Sequence, residues 1–253
     1  MRVALGVHDF SVSPMDEKNI LRLWPTTLMR KRFASHEAVK PALLAFINSY
    51  METHPRGRRA NENRGLYESG YDILRRFADS EPAIKTLKAF LSEAFFEVGM
   101  AANGQAWKRA EIATNQASVN ITASWFIDYQ AQGNVLPHLH GNSSWSCVYY
   151  LQMNASNDPM NGATYFICPT NKSDSDDAGA VYCREASRFF TATEGYALFF
   201  PSYLIHGSLP YRGDQSRIVF SANARIEAPQ QNPEVLPATI AERRRDTPRS
   251  DAV

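Results

Sequence analysis

His138 and His140 stand one residue apart in Val135-Leu136-Pro137-His138-Leu139-His140-Gly141. In an extended backbone side chains alternate with a period of two, so both imidazoles emerge on one side. Neutral imidazole is the commonest metal-binding side chain, and two ligands so spaced need no change of chain direction. A third ligand must come from elsewhere. His206, in Phe199-Phe200-Pro201-Ser202-Tyr203-Leu204-Ile205-His206-Gly207, is the candidate, and Arg217 follows it by eleven residues. Three protein ligands on one face of a first-row metal leave open positions opposite. A guanidinium never loses its charge and grips a carboxylate through two parallel hydrogen bonds. A surface ion pair with Asp214 is the plainer use of Arg217. His8, His36 and His54 have no partners at useful spacing and read as surface or hydrogen-bonded residues.

The elements that must position these residues are β-textured. Ala117 to Ile127 alternates over part of its length. Trp145 to Leu151, Thr164 to Cys168, Arg188 to Thr191, Tyr196 to Phe200 and Arg217 to Ser221 are short β-branched or aromatic runs. Turn residues separate them at Asn154 to Gly162, Thr170 to Gly179, Glu194-Gly195 and Arg212-Gly213-Asp214. Short strands so spaced suggest a jelly roll or related double-stranded β-helix, with no internal repeat. Ser221 and Asn223 lie at alternate positions beyond Arg217 and share its face. Trp125, Tyr149 and Phe166 either line a pocket or fill the core.

Upstream the pattern is helical. Val39, Leu43, Leu44, Ile47 and Tyr50 follow helical spacing after Ser35, and Pro41 is tolerable near the first turn, which predicts a helix over 36–53. His54 to Gly65 is a loop whose arginines are either solvated or receive an anionic substrate; Gly65 to Ser69 could line a substrate entrance. Ser80-Glu81-Pro82 opens a second helix, with Ile84, Leu87, Leu91, Phe95 and Val98 as its core stripe and Gly99 close to its end. Val3 to Val7 and Leu21 to Arg30 each read as a strand. Residues 229–253, with three prolines and Arg243-Arg244-Arg245, read as a mobile tail or as an arm gripping a second copy in a homodimer.

The 253 residues, 44% hydrophobic and 21% charged, suit one large domain over 1–228 without disulfides. A net charge of +1 gives no reason to expect nucleic acid or an anionic membrane. Three unevenly spaced cysteines, Cys147, Cys168 and Cys183, and no long apolar run fit a cytoplasmic protein with a small-molecule partner.

Taken together, Tyr129, Pro137-His138, a strand ending Tyr150-Leu151, and His206 followed by Arg217 resemble the non-haem iron(II), 2-oxoglutarate-dependent oxygenases. Residues 137–151, the Phe-Pro-Ser-x-x-x-His segment and Arg217 to Asn223 are similar to a bacterial and phage subfamily with His-x-His, a serine-rich turn and a Tyr-Tyr strand. The likeness covers about 115–226 and extends weakly to Leu23-Trp24-Pro25-Thr26-Thr27. It implies an α+β, mainly β fold: a double-stranded β-helix core over 115–226, supported by helices over 35–110. It also implies Fe(II), 2-oxoglutarate and O2, oxidative decarboxylation of 2-oxoglutarate to succinate, and C–H oxidation of an unidentified small molecule, most simply hydroxylation. By resemblance His138, His140 and His206 hold the metal, Arg217 takes the C5 carboxylate with Tyr129 as hydroxyl partner, and Ser221 and Asn223 complete the cofactor pocket.

One departure stands out. Where most such proteins carry Asp or Glu two residues after the first histidine, this chain has His140, which leaves an iron centre one unit more positive until the 2-oxoglutarate dianion binds. Two other arrangements stay open: a ligand pair starting at His140 with Asn142, and His140 turned away with halide in the vacant position, as in related halogenases. Tyr129 and Pro137 favour the register on His138. Two other functions also remain, a cupin-like three-histidine iron dioxygenase that does not use 2-oxoglutarate and a non-catalytic metal- or oxoglutarate-binding domain. Arg217 separates the first from the oxoglutarate enzyme, because only the latter needs it. The loops 54–70, 153–162 and 170–179 carry no motif that names a substrate.

Overall fold

A computed structural model describes residues 26–55, 57, 65–109, 111–170 and 185–228. The expected strand Val3 to Val7 and the tail 229–253 lie outside the described residues. The described elements are β1 (Met29–Arg32), α1 (His36–Thr53), β2 (Leu66–Glu68), α2 (Ile73–Phe77), α3 (Pro82–Arg109), β3 (Ser118–Tyr129), β4 (Trp145–Gln152), β5 (Thr164–Ile167), β6 (Ser187–Phe190), β7 (Tyr196–Pro201), β8 (His206–Ser208) and β9 (Arg217–Glu227). Every strand pairing is antiparallel. A six-stranded sheet runs β1-β7-β4-β9-β3-β2 and a three-stranded sheet β6-β5-β8. Together they form the double-stranded β-helix core, with the helices on the outer face of the larger sheet.

Alternation along the central strands divides the core in two. Trp145, Cys147, Tyr149 and Leu151 of β4 and Phe220, Ala222 and Ala224 of β9 meet the helices, whereas Val148, Tyr150 and Val219 face the smaller sheet. Every position of β4 is buried, which is why the run is apolar almost throughout rather than alternating. On the helical side Ile84, Leu87, Leu91, Phe95 and Val98 of α3 are fully buried, the stripe expected from their spacing. Each such side chain contributes about 1.5–3 kcal/mol by leaving water.

Two local expectations need correction, and three short elements were not expected. Helix α3 does not stop near Gly99 but continues to Arg109. A side chain at Gly99 would run into Ile226 of β9, so this glycine permits close helix–sheet approach instead of ending the helix. Strands β3 and β9 extend to Tyr129 and Glu227, past the expected Ile127 and Ser221. Finally, β2, α2 and β8 are too short to show a period. They are fixed by tertiary bonds, such as Leu74 N donating to Ser124 Oγ at 2.9 Å in the first turn of α2.

Phe95 packs edge-on to Phe199 of β7, with ring centroids 5.1 Å apart, and is fully buried. Phe95→Ala is expected to cost about 3–5 kcal/mol of stability, read as a lower urea midpoint at unchanged m-value.

Candidate active site

The three histidines arrive from two segments. His138 and His206 form an isolated antiparallel bridge in which each backbone N–H donates to the other's carbonyl at 2.9 Å. His140 follows on the same side, its backbone N–H donating to Ser202 O at 3.0 Å. The rings converge, and one ligand atom from each lies within 4.8 Å of the other two. Asn142, by contrast, is exposed with a left-handed backbone, φ 59°. The geometry therefore runs against both arrangements in which His138 or His140 leaves the set.

The tautomers are set by the backbone. His138 Nδ1 lies 2.9 Å from Leu136 O, and His206 Nδ1 lies 2.9 Å from Leu204 O. A carbonyl can only accept, so each Nδ1 carries the proton and each Nε2 presents a lone pair. Burial, followed by the like charge of the neighbouring rings, pushes His140 down to about 3. Burial and His138 push His206 down to about 4. These two rings are thus neutral near pH 7, the state a metal requires.

A cavity of about 430 Å³ runs from the histidines into the space between the sheets. Tyr129, His138, His140, His206, Arg217, Ser221 and Asn223 all line it, so every candidate residue reaches one space. Arg217 is 1% exposed, and its Nε and Nη1 have no hydrogen-bond partner. Among the described residues it makes no ion pair with Asp214. Its guanidinium carbon sits 4.1 Å from the centroid of Tyr129, its neighbour across β3 and β9, so the ring of Tyr129 carries the contact. Gly162, at φ +62°, lets the chain approach this side chain, since a Cβ there would lie 3.1 Å from Arg217 Cδ. Asn223 Oδ1 accepts from Ser146 Oγ at 2.8 Å.

Of the three aromatic candidates, Trp125 lines the cavity with its ring 5.5 Å from that of His140. Tyr149 does not: it faces the helices and bonds His36 Nδ1 at 2.6 Å. Phe166 backs His206 at 5.9 Å. Leu66 and Glu68, from the segment expected to line an entrance, do border the cavity. Sequence reasoning missed Tyr150 and Thr164, whose hydroxyls lie 2.7 Å apart beside Arg217, with Tyr150's ring 5.7 Å from the guanidinium. The Tyr-Tyr pair was visible, but which tyrosine faces inward depends on strand register. Tyr71, edge-on to Trp125 at 5.1 Å, was also missed.

Comparison with known proteins comes to the same segment. A family model described as "Putative 2OG-Fe(II) oxygenase" matches residues 123–223, which include all seven candidate residues. No curated protein matches the sequence. Among solved structures, the chain is similar to a prolyl hydroxylase from Trichoplax adhaerens in complex with a hypoxia inducible factor oxygen degradation domain peptide (TM-score 0.50, 13% identity, 78% of this chain and 83% of that one). It is also similar to the epimerase SnoN in complex with Fe3+, alpha ketoglutarate and nogalamycin RO (TM-score 0.50, 13% identity, 85% and 87%). These likenesses concern the fold.

The depressed histidines carry a pH signature. Between pH 6.5 and about 4 the unfolded chain takes up protons that folded His140 and His206 refuse, so stability rises with pH across this window. Metal-free protein is expected to keep full stability above about pH 6.5 and to lose it as the pH falls toward 4. Asp128, raised by burial, pulls the other way, and His206→Gln leaves it in place. Urea midpoints from pH 7.5 to 4.5 should therefore fall less steeply in His206→Gln than in the parent.

Proposed function

We infer that this 2OG-Fe(II) oxygenase, with iron(II) and 2-oxoglutarate as its cofactors, hydroxylates a C–H bond of a small molecule in the cavity between its sheets. In this reading His138, His140 and His206 hold the metal and Arg217 receives the C5 carboxylate of 2-oxoglutarate. With both bound, dioxygen is used to decarboxylate 2-oxoglutarate to succinate and CO2 and to oxidise the substrate carbon.

The observation that carries the reading is the uncompensated guanidinium. A buried cation with two guanidinium nitrogens left unsatisfied is costly unless a ligand supplies the missing charge and acceptors. A dicarboxylate reaching from the histidines to Arg217 does so, and a three-histidine dioxygenase working without 2-oxoglutarate leaves that arginine unused. The neutral rings of His140 and His206 fit the same ligand, because its second carboxylate, rather than a protein carboxylate, would offset charge at the metal.

The remaining residues hold and orient. Tyr129 presses its ring on the guanidinium and so keeps the donor edge toward the cavity. Tyr150 and Thr164 supply hydroxyls beside Arg217, and burial raises the Tyr150 pKa, which keeps that phenol protonated. Ser221 and Asn223 add polar groups on the same face of β9, while Trp125, Val148 and Phe200 exclude water from the histidine end.

The family implies a small molecule or a peptide as substrate. A cavity of about 430 Å³ favours the small molecule, and the net charge of +1 favours a partner other than nucleic acid. The buried free thiol of Cys147 supports the cytoplasm as the working compartment. The oxygenase domain spans 1–228 in this reading.

The test is anaerobic addition of iron(II) and then 2-oxoglutarate to metal-free protein, followed by the weak visible charge-transfer band of a bidentate chelate. His206→Ala is expected to abolish the band. Arg217→Ala should need at least ~30-fold more 2-oxoglutarate at unchanged iron affinity, the loss expected for one partner of a buried charge pair. A metal-loaded parent protein that gives no band with 2-oxoglutarate would sink the reading.

A further inference from the structure

The three histidines are not held alike. His138 and His206 brace each other through the paired backbone bonds of their bridge, and each ring is oriented by a bond from Nδ1 to a carbonyl. The ring of His140 has no such bond among the described residues. Its backbone instead hangs on Ser202, the residue that accepts its N–H at 3.0 Å.

Ser202 is itself fixed more firmly than a turn residue needs to be. It is 1% exposed, and its N–H donates to Ser144 O at 3.0 Å. Its hydroxyl lies 2.9 Å from Ser143 Oγ and 2.8 Å from Ser146 Oγ, while Ser146 donates to Asn223 Oδ1 at 2.8 Å. A hydroxyl has one proton, so the directions follow. Ser146 spends its proton on Asn223, hence Ser202 donates to Ser146; the single proton of Ser143 has two acceptors, Gly141 O at 3.4 Å and Ser202 Oγ at 2.9 Å, and the shorter contact is the stronger one. The chain crosses from the loop after His140, through the turn before β8, to β4 and β9. It joins the segments that carry all three histidines to the rigid centre of the larger sheet.

We propose that Ser202 is the positioning residue for His140: its hydroxyl, locked between Ser143 and Ser146, fixes the carbonyl on which the His140 backbone hangs and so sets the third imidazole against the pair formed by His138 and His206. The proposal rests on the reading of the three histidines as a metal-ligand set. It assigns Ser202 no contact with metal or substrate. Partners that orient a metal ligand typically alter affinity by about 10–100-fold when removed, and a hydroxyl chain with one polarity cannot lose its middle member without leaving a neighbour unsatisfied.

The experiment is a double-mutant cycle read by cobalt(II) binding to metal-free protein under anaerobic conditions, using the dissociation constant and the visible d–d spectrum. Ser202→Ala is expected to weaken cobalt binding about 10-fold and to shift the spectrum toward that of His140→Ala. In a His140→Ala background the same substitution should change affinity less than about 2-fold, because the residue it serves is gone. An equal loss in both backgrounds would overturn the proposal and place the action of Ser202 in the fold or in the His138–His206 pair. A His140→Ala protein with parental affinity and spectrum would instead sink the ligand reading itself. Should Ser202→Ala fail to fold, Ser143→Ala removes the first donor and keeps the backbone bonds. It is expected to shift the cobalt spectrum in the same direction by less, and an unaltered spectrum and affinity there would overturn the role of the hydroxyl chain.

Discussion

A slip of one residue between β9 and its neighbours would turn Arg217 out of the cavity and into the apolar layer beneath the helices. Such a slip is prevented because both faces of the larger sheet are buried, so every residue has only one acceptable side. Ile218, Phe220, Ala222 and Ala224 must meet the helices, which sends Arg217, Val219, Ser221 and Asn223 inward. The same pairing sets Tyr129 against Arg217 and Trp125 against Ser221. The cavity's polar groups are thus placed by the hydrophobic packing of alternate residues, not by one another.

That placement separates two kinds of electrostatics. At one end, imidazoles lose their protons to burial and crowding and become neutral donors of lone pairs. At the other, a guanidinium that cannot deprotonate keeps its charge in a space with too few acceptors. A ligand that binds through oxygen at the first end and through a carboxylate at the second satisfies both. Neither end selects 2-oxoglutarate alone; both line one cavity, so the ligand must reach from one to the other.

Much of this was legible in the chain. His138 and His140 declare a shared side because the strand period is two, and Arg217, Ser221 and Asn223 do so for the same reason. The stripe from Ile84 to Val98 declares α3, although Gly99 misleads: a glycine that admits Ile226 looks the same in sequence as one that ends a helix. What the chain does not reveal depends on pairing across long separations. Tyr149 and Tyr150 are neighbours of one type, yet one bonds His36 under the helices and the other stands beside Arg217. Strand β8 is three residues long, too short for any period, and exists because His206 bridges His138 while Phe166 pairs beside it.

The histidine in the place of a carboxylate has a structural counterpart. An acidic ligand attracts a divalent cation over distance and tolerates some disorder, whereas a neutral imidazole binds only where its lone pair already points. A set of three such ligands, as proposed here for His138, His140 and His206, would therefore have to be rigid before a metal arrives. The bonds around it supply that: the His138–His206 bridge, two ring protons committed to carbonyls, and serines that tie the turn carrying Ser202 to β4 and β9. The His206 ring bond and the Ser202–Ser146–Asn223 bonds are buried, where hydrogen bonds are electrostatically stronger than in water. On the proposed reading of these histidines as ligands, loss of charge in the set would be offset by preorganisation of the frame, which would tie metal retention to the integrity of the fold more closely than in a site anchored by a carboxylate.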